Sequence, residues 1–223
     1  MRHAALVTYT GDLYTWGEGK GGVLGHGHQA DIPTPTRVAL LWGRRVVSVR
    51  CSAAATAVVT ETHELLTWGD GAAGTLGYAA IRQPIPRLVP LPPVVHVALS
   101  QFHAAAVTQA GQLFTWGCGL GGKLGHGDSE DTATPREVVA LQGMCVLRVA
   151  CGHWHTAAIV APGGCVEDPG ADHGHITAGA RSRTCGLAPL LIALLLESCR
   201  LSCWCWLLYI VSMHALVDSS VSV

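Results

Sequence analysis

Short runs of small, β-branched and aromatic residues alternate with glycine- and proline-containing turns along the first 160 residues of the chain. A representative pair of runs, 105–108 and 112–116, flanks a turn that contains Gly111. Short apolar runs on either side of a glycine turn predict a β-hairpin. Because none of these residues follows a helical period, the pattern predicts an all-β structure.

The pattern also repeats. A motif of Leu, an apolar residue, Thr, Trp and Gly occurs at 13–17, 65–69 and 113–117, with its tryptophans 52 and 48 residues apart. Each tryptophan is followed, nine residues later, by the glycine of a Leu-Gly pair. Four short strands in a period of about 50 residues predict a propeller blade. The repeated positions are Trp16, Gly17, Leu24, Gly25, Trp68, Gly69, Leu76, Gly77, Trp116, Gly117, Leu124 and Gly125.

The unit is predicted to end with a proline segment and then an apolar strand, such as 46–49 or 146–149. Since the tryptophans recur at one strand position, packing between blades is favoured over a role as partner hot spots.

These motifs resemble the regulator-of-chromosome-condensation repeat family. The segment 151–156 resembles it too, through Cys151, Gly152 and His155. The unit 111–160 is most similar to the repeats of plant proteins that join them to a pleckstrin-homology domain and a FYVE zinc finger. The resemblance implies a ring of seven blades, which needs roughly 350 residues. Residues 1–160 supply about three blades and the start of a fourth, so we expect a partial β-propeller.

A partial ring exposes an apolar face at each end. We therefore expect a fragment of a longer protein or an alternative transcript, with a ring-completing oligomer as the alternative. The second unit departs from the pattern, since Ala55 stands where the others have His3, His103 or His155.

The composition changes after the repeats. Residues 161–186 are predicted to be a linker, and residues 187–217 form an apolar tail, helical or disordered. Within it, 201–217 carries no formal charge and reaches the lower length limit of a membrane-spanning helix. The alternatives are a membrane anchor, a helix folded over the exposed blade edge, and an extension without selected structure.

The formal net charge is −1, so nucleic-acid binding has no electrostatic support. The nine cysteines are scattered and no secretory signal precedes the repeats. We expect free thiols in a reducing compartment, and a cytoplasmic location with membrane association through 201–217.

The motifs do not indicate a catalytic function. No nucleophile, base and orienting acid recur together, and the glycine-rich loops lack the Lys-Ser/Thr of a phosphate-binding loop. We predict no enzyme, no cofactor and no metal site. The repeated histidines are expected to bond neighbouring backbone within each blade. Cys118 is not assigned as a reactive thiol, because the sequence places no His or cation beside it.

The chain is therefore predicted to be a non-catalytic scaffold that docks a protein through loops on one face of the blades. Its candidate contacts are Asp128, Glu130 and Asp131, with Arg44 and Arg45 as basic counterparts. The resemblance adds two alternatives. One is guanine-nucleotide exchange on a small Ran-like GTPase. The other is a targeting module of a ubiquitin ligase or a lipid-binding protein.

Overall fold

The computed structural model describes residues 3–162, 165–166 and 177–178. Nearly all regular structure in them is β, with short 3-10 turns at Lys20–Gly22, Ala39–Leu41, Leu120–Gly122 and Val139–Leu141. The strands are β1 (His3–Val7), β2 (Leu13–Gly17), β3 (Ile32–Arg37), β4 (Val46–Cys51), β5 (Ala55–Thr60), β6 (Leu65–Asp70), β7 (Arg82–Leu88), β8 (Val94–Leu99), β9 (His103–Thr108), β10 (Leu113–Gly117), β11 (Thr132–Glu137), β12 (Met144–Cys151), β13 (Thr156–Pro162), β14 (Cys165–Val166) and β15 (Thr177–Ala178).

Consecutive antiparallel strands form the blades. Blade 1 is β1-β2-β3, blade 2 is β4-β5-β6-β7, blade 3 is β8-β9-β10-β11, and the described part of blade 4 is β12-β13. The short strands β14 and β15 pair with each other. This arrangement is the partial β-propeller that the repeats predict.

The strands at 46–49 and 146–149 do not close a unit, as the sequence suggested; each opens the next blade. Strand β4 pairs with β5 from Val46↔Thr60 to Cys51↔Thr56. The turn between them is tight, because the Ala55 N–H donates to the Ser52 hydroxyl over 3.0 Å. Between β3 and β4 the chain instead passes through the turn Ala39–Leu41. Sequence periodicity fixes the repeat length and leaves open where a sheet begins.

The core consists of apolar layers between successive blades. Between blades 1 and 2, Leu13 and Val38 pack with Val58 and Trp68. Equivalent layers follow between blades 2 and 3 and between blades 3 and 4. Trp68 and Trp116 have no exposed surface, whereas Trp16, in blade 1, is half-buried. Burial of side chains this large is the main favourable term that holds one blade to the next.

Alternating strand direction divides the connections between two ends of the blades. One end, the loop face, carries the turns 52–54, 100–102 and 152–155 and the loops 18–31, 71–81 and 118–131. The other end, the turn face, carries the turns 8–12, 61–64 and 109–112 and the connections 38–45, 89–93 and 138–143.

The cysteines correct one expectation. Cys51, Cys118 and Cys151 are free, but Cys145 is disulfide-bonded. The prediction that all the cysteines are free thiols was therefore wrong. Spacing in the sequence could not show this, because a disulfide depends on which Cβ atoms the fold brings together.

Most of the predicted linker and the whole apolar tail, including the candidate membrane segment 201–217, lie outside the described residues. Within the part that is described, no helix has the length and apolarity to cross a membrane.

Candidate protein-docking site on the loop face

The long loops of the loop face are fixed by repeated hydrogen bonds. The Gly19 N–H donates to Asp31 Oδ1, and the Gly119 N–H donates to Asp131 Oδ1, each over 2.8 Å. A carboxylate that accepts a backbone N–H forms a charge-assisted bond, which is stronger than a neutral one. Asp131, a candidate partner contact, is therefore engaged in holding its own loop.

Each buried tryptophan reaches from its blade into the loop of the preceding blade. The Trp68 indole N–H donates to the Val23 carbonyl over 2.8 Å, and that of Trp116 donates to the Thr75 carbonyl over 2.9 Å. The glycine of the Leu-Gly pair leaves room for the ring. A Cβ on Gly25 would lie 2.8 Å from Trp68 Nε1. This contact explains why the Trp and the Leu-Gly pair recur together.

The repeated histidines bond differently from the prediction. His3 Nε2 lies 2.9 Å from the Thr56 hydroxyl, and His103 Nε2 lies 2.9 Å from the Thr156 hydroxyl, so both bonds join side chains across neighbouring blades. Where blade 2 has Ala55, blade 3 has Ala104 in place of the threonine. Both partners of the hydrogen bond are therefore replaced by alanine, and no buried polar atom is left without a partner there.

Two further histidines lie in the loops. His26 and His126 place Nε2 at 2.9 and 3.0 Å from the hydroxyls of Thr15 and Thr115 in their own blades. Burial lowers the pKa of both imidazoles. In the second unit the hydroxyl of Tyr78 bonds the Thr67 carbonyl over 2.8 Å instead.

An aromatic cluster stands on the loop face where blades 3 and 4 meet. The Trp154 ring stacks on Phe102 with centroids 5.2 Å apart, and His153 contacts both rings edge-on at 4.6 and 5.0 Å. Trp154 is 55% exposed. The cluster thus holds a large aromatic surface in one orientation in contact with solvent.

A buried cation lies next to this cluster. Lys123 is only 2% exposed, and its Nζ donates to the Leu120 carbonyl over 3.1 Å and lies 6.0 Å from the Trp154 ring centroid. Nζ is also 3.3 Å from Cys118 Sγ. The sequence alone does not place a cation beside Cys118, but the loop folds back over five residues and brings Lys123 there.

The same cation affects a neighbouring imidazole. Burial first, and then the charge of Lys123, lower the pKa of His103 to about 4. At neutral pH His103 is therefore uncharged and serves as a hydrogen-bonding spacer between the blades. Cys151 has a matching structural role, since burial raises the pKa of its thiol to about 12. Its neighbour Gly152 has no room for a Cβ, which would meet the His155 ring at 2.3 Å.

Comparison of the repeats indicates that the blade fold does not depend on the aromatic cluster. The position before the repeated histidine, or before Ala55 in its place, is Ala54 in blade 2, Phe102 in blade 3 and Trp154 in blade 4. Since blade 2 folds with alanine there, the blade does not require an aromatic residue. The sequence analysis missed Phe102 and used Trp154 only as part of a motif. Aligning these turns with one another would have revealed both.

The predicted charged contacts do not form one surface. Asp128, Glu130 and Asp131 lie on the loop face, whereas Arg44 and Arg45 lie on the turn face. The two arginines pair with Glu64 and Glu61 at 2.9 and 2.8 Å.

On the loop face, Asp128 pairs with Arg136 at 2.9 Å, which holds the pKa of its carboxyl below the usual range. Glu130 is exposed. In the described part of the chain, no three His, Cys, Asp or Glu side chains are grouped as a metal site would need.

Comparison with known proteins agrees with this architecture. The family model for the regulator of chromosome condensation (RCC1) repeat matches residues 10–59 and 110–159. The repeats of this chain belong to that family. The segment between the matches contains Tyr78, where the second unit lacks the histidine that the others have at 26 and 126.

Two curated relatives and one solved structure are similar to this chain over its RCC1 repeats. The chain is 36% identical over 173 residues to the E3 ubiquitin-protein ligase HERC2 of Homo sapiens, covering 74% of the chain and 3% of that protein. It is 34% identical over 168 residues to the ultraviolet-B receptor UVR8 of Arabidopsis thaliana, covering 71% of the chain and 38% of that protein. Prp20p of Saccharomyces cerevisiae superposes with a TM-score of 0.66 at 22% identity, covering 75% and 43%. The chain thus spans less than half of each of these proteins.

Proposed function

We propose that this chain is a non-catalytic protein-interaction module and that its partner docks on the loop face over Phe102, His153 and Trp154. The observation that carries the proposal is the exposed Trp154, stacked at 5.2 Å on a residue that the blade itself does not need. Tryptophan is enriched among interface residues that dominate binding energy. A ring already fixed by its neighbours loses little conformational freedom when a partner covers it.

The surroundings of the cluster suit a protein surface. Lys123 supplies a positive charge beneath the Trp154 ring, and the exposed Glu130 and Ser129 lie in the adjacent loop. An aromatic centre with a polar rim is the usual composition of a protein interface. No bond need be made or broken at such a site.

The test compares Trp154→Ala with Trp42→Ala, which removes a 75% exposed tryptophan from the opposite face. Partners of the full chain are captured by proximity labelling, and the partner lost on Trp154→Ala is purified and titrated by calorimetry. We expect Trp154→Ala to weaken binding about 30-fold, as for a hot-spot residue, and Trp42→Ala to leave it unchanged. Equal loss in both variants, or no partner dependent on Trp154, would refute this docking site.

Guanine-nucleotide exchange on a Ran-like GTPase is the second candidate. It is favoured by the family and by the fold shared with Prp20p, which was studied for its binding to Gsp1p and histones. A panel of small GTPases loaded with fluorescent GDP distinguishes the two functions. Accelerated release at one-hundredth of the GTPase concentration would establish exchange activity, whereas a scaffold gives at most stoichiometric binding.

A targeting role within a larger cytoplasmic machine, such as a ubiquitin ligase or a lipid-binding protein, is the third candidate. It rests on the similarity to a short part of HERC2. Sequencing of transcripts across both ends of this open reading frame tests it. Joined coding sequence for a ligase or lipid-binding domain would support this role, and its absence from every transcript would exclude it.

A further inference from the structure

One cavity of about 600 Å³ lies between the loop of blade 3 and strand β13. All of its walls belong to the described part of the chain. Its lining is mainly apolar and includes Leu124, Gly125, Val138, Leu141, Thr156 and Ala158. We call it the blade-3 slot.

The slot is the third copy of a site that tryptophan fills in the other two copies. In the first copy the Val23 carbonyl accepts hydrogen bonds from both the Thr56 hydroxyl and the Trp68 indole, each over 2.8 Å. In the third copy the Lys123 carbonyl accepts the Thr156 hydroxyl, also over 2.8 Å. No indole of the described residues donates to it. The slot therefore presents a carbonyl acceptor where the first copy binds an indole N–H.

The glycine of the Leu-Gly pair shows that the slot has room for such a ring. A Cβ on Gly25 or Gly77 would lie 2.8 or 3.3 Å from a tryptophan Nε1. A Cβ on Gly125 would meet only Val138. Among the described residues, the group that distinguishes the two filled copies from the third is thus an indole ring.

The sheet of blade 4 is open at the edge where the tryptophan strand lies in other blades. In blades 2 and 3 that strand is β6 or β10, which pairs with β5 or β9. The corresponding strand β13 pairs with β12, and no strand of the described residues pairs with its other edge. An open edge offers backbone N–H and C=O groups to an added strand, and a pocket beside it determines which side chain fits.

The filled copies define what an added strand must carry. An apolar residue two positions before the tryptophan packs in the same layer, as Leu66 does with Trp68. The residue after the tryptophan must be glycine. A Cβ on Gly69 would lie 2.4 Å from the Ala54 carbonyl oxygen, and the same contact at Gly117 would be 2.5 Å.

We propose that the blade-3 slot and the open edge of β13 bind an extended segment of a partner protein with the pattern apolar-x-Trp-Gly. The indole N–H of the segment donates to the Lys123 carbonyl. Its glycine passes over the Trp154 carbonyl, which takes the position of Ala54 in blade 2. Binding removes from water an apolar slot and pairs the backbone groups of the open edge.

A second folded copy of the chain does not offer such a segment from its described residues. Its three tryptophan strands, β2, β6 and β10, are each paired on both sides within their own blades. The pattern also occurs at 40–43, but Leu41 is buried there and Ala39–Leu41 forms a 3-10 turn, so this segment cannot pair as a strand. The occupant is therefore a segment of a different protein.

The experiment titrates the full chain by calorimetry with a capped peptide that has the sequence of residues 64–70, Glu-Leu-Leu-Thr-Trp-Gly-Asp. Two matched peptides replace the tryptophan or the glycine with alanine. We expect the loss of tryptophan to weaken binding about 30-fold, as for a hot-spot residue. We expect the glycine change to weaken it about tenfold, because its methyl meets a carbonyl oxygen. Since both changes are in the peptide, neither affects the folding of the chain.

Two matched glycine variants of the chain test the location. Gly125→Ala places a methyl in the slot, whereas Gly43→Ala adds one on the turn face where nothing lies within 4 Å; their φ angles, +79° and +80°, are alike. Only Gly125→Ala should weaken peptide binding, by about tenfold. A 5-fluorotryptophan in the peptide gives a separate readout. Its fluorine shift between H₂O and D₂O should shrink on binding, because the ring leaves water.

Four results would overturn the assignment. They are no binding of the peptide to the full chain, equal binding of the peptide without tryptophan, equal effects of the two glycine variants, and an unchanged solvent shift of the bound fluorotryptophan. Tighter binding of the peptide to Trp42→Ala would also overturn it, since it would indicate that Trp42 of a second copy occupies the slot. None of these results involves the partner proposed for Trp154, so the two proposals fail independently.

Discussion

At the scale of single residues, the blades are joined by a few buried polar contacts set in apolar layers. An indole N–H, an imidazole nitrogen or a threonine hydroxyl reaches from one blade to a hydrogen-bonding partner in a neighbouring blade. Each contact lies where water is excluded, so loss of one partner leaves the other unsatisfied. Substitutions at these atoms should therefore cost more than their loss of volume suggests.

The Trp116 indole gives the first prediction at this scale. Trp116→Phe keeps an aromatic ring but removes the donor to the Thr75 carbonyl. We expect unfolding in urea to become easier by about 2 kcal/mol, because a buried carbonyl loses its partner. Trp42→Phe, at a 75% exposed site, should change stability by less than about 0.5 kcal/mol. Equal effects in the two variants would show that the hydrogen bond contributes nothing.

The imidazole of His103 gives the second prediction at this scale. Its pKa is about 4 in the folded chain against an ordinary 6.5, so the unfolded chain binds the proton more readily. The stability that depends on the neutral ring is fully present above pH 6.5 and is lost as pH falls towards 4. The loss is at most about 3 kcal/mol.

His103→Gln should therefore flatten the dependence of the unfolding free energy on pH between 6.5 and 4. Some slope should remain, because burial also lowers the pKa of His3 and His96. An unchanged slope in His103→Gln would contradict the assigned protonation.

At the scale of elements, the glycine-rich loops are held in shape by repeated backbone and side-chain hydrogen bonds. Positive φ angles at positions such as Gly121 and Gly125 allow the chain to fold back on itself. The carboxylates of Asp31 and Asp131 then fix the shape.

Asp131→Asn tests this role against the binding role that the sequence suggested. We expect amide hydrogen exchange at Gly119 to accelerate about tenfold, because the charge-assisted bond is replaced by a weaker one. Glu130→Gln changes an exposed neighbour and should not affect that amide. If both variants exchange like the parent chain, Asp131 is not what orders the loop.

At the scale of the whole molecule, the open arc has two apolar end faces. In blade 1, Leu6 is 50% exposed, while its counterparts Val58 and Ala106 are fully buried by the preceding blade. At the other end of the described blades, a mainly apolar cavity of about 600 Å³ lies between the loop of blade 3 and strand β13. Contiguous apolar faces of this kind promote association.

Residues 1–160 expressed without the tail are therefore predicted to associate or aggregate. Light scattering across a concentration series measures this, and the mass should rise with concentration. A monodisperse monomer of residues 1–160 that melts cooperatively would contradict the open-arc picture.

The sequence by itself determined the class of fold, because apolar runs, glycine turns and a 50-residue period are local signals that need no long-range information. It did not determine where a sheet begins, as β4 shows, since pairing depends on turn geometry between strands. Nor could it show the bonds of His3 and His103 across blades, the disulfide of Cys145 or the approach of Lys123 to Cys118. Those contacts join residues that only the stacking of blades and the folding of loops bring together. The exposed cluster at Trp154 was decided in the same way, because burial is a property of the whole arrangement and not of the residue.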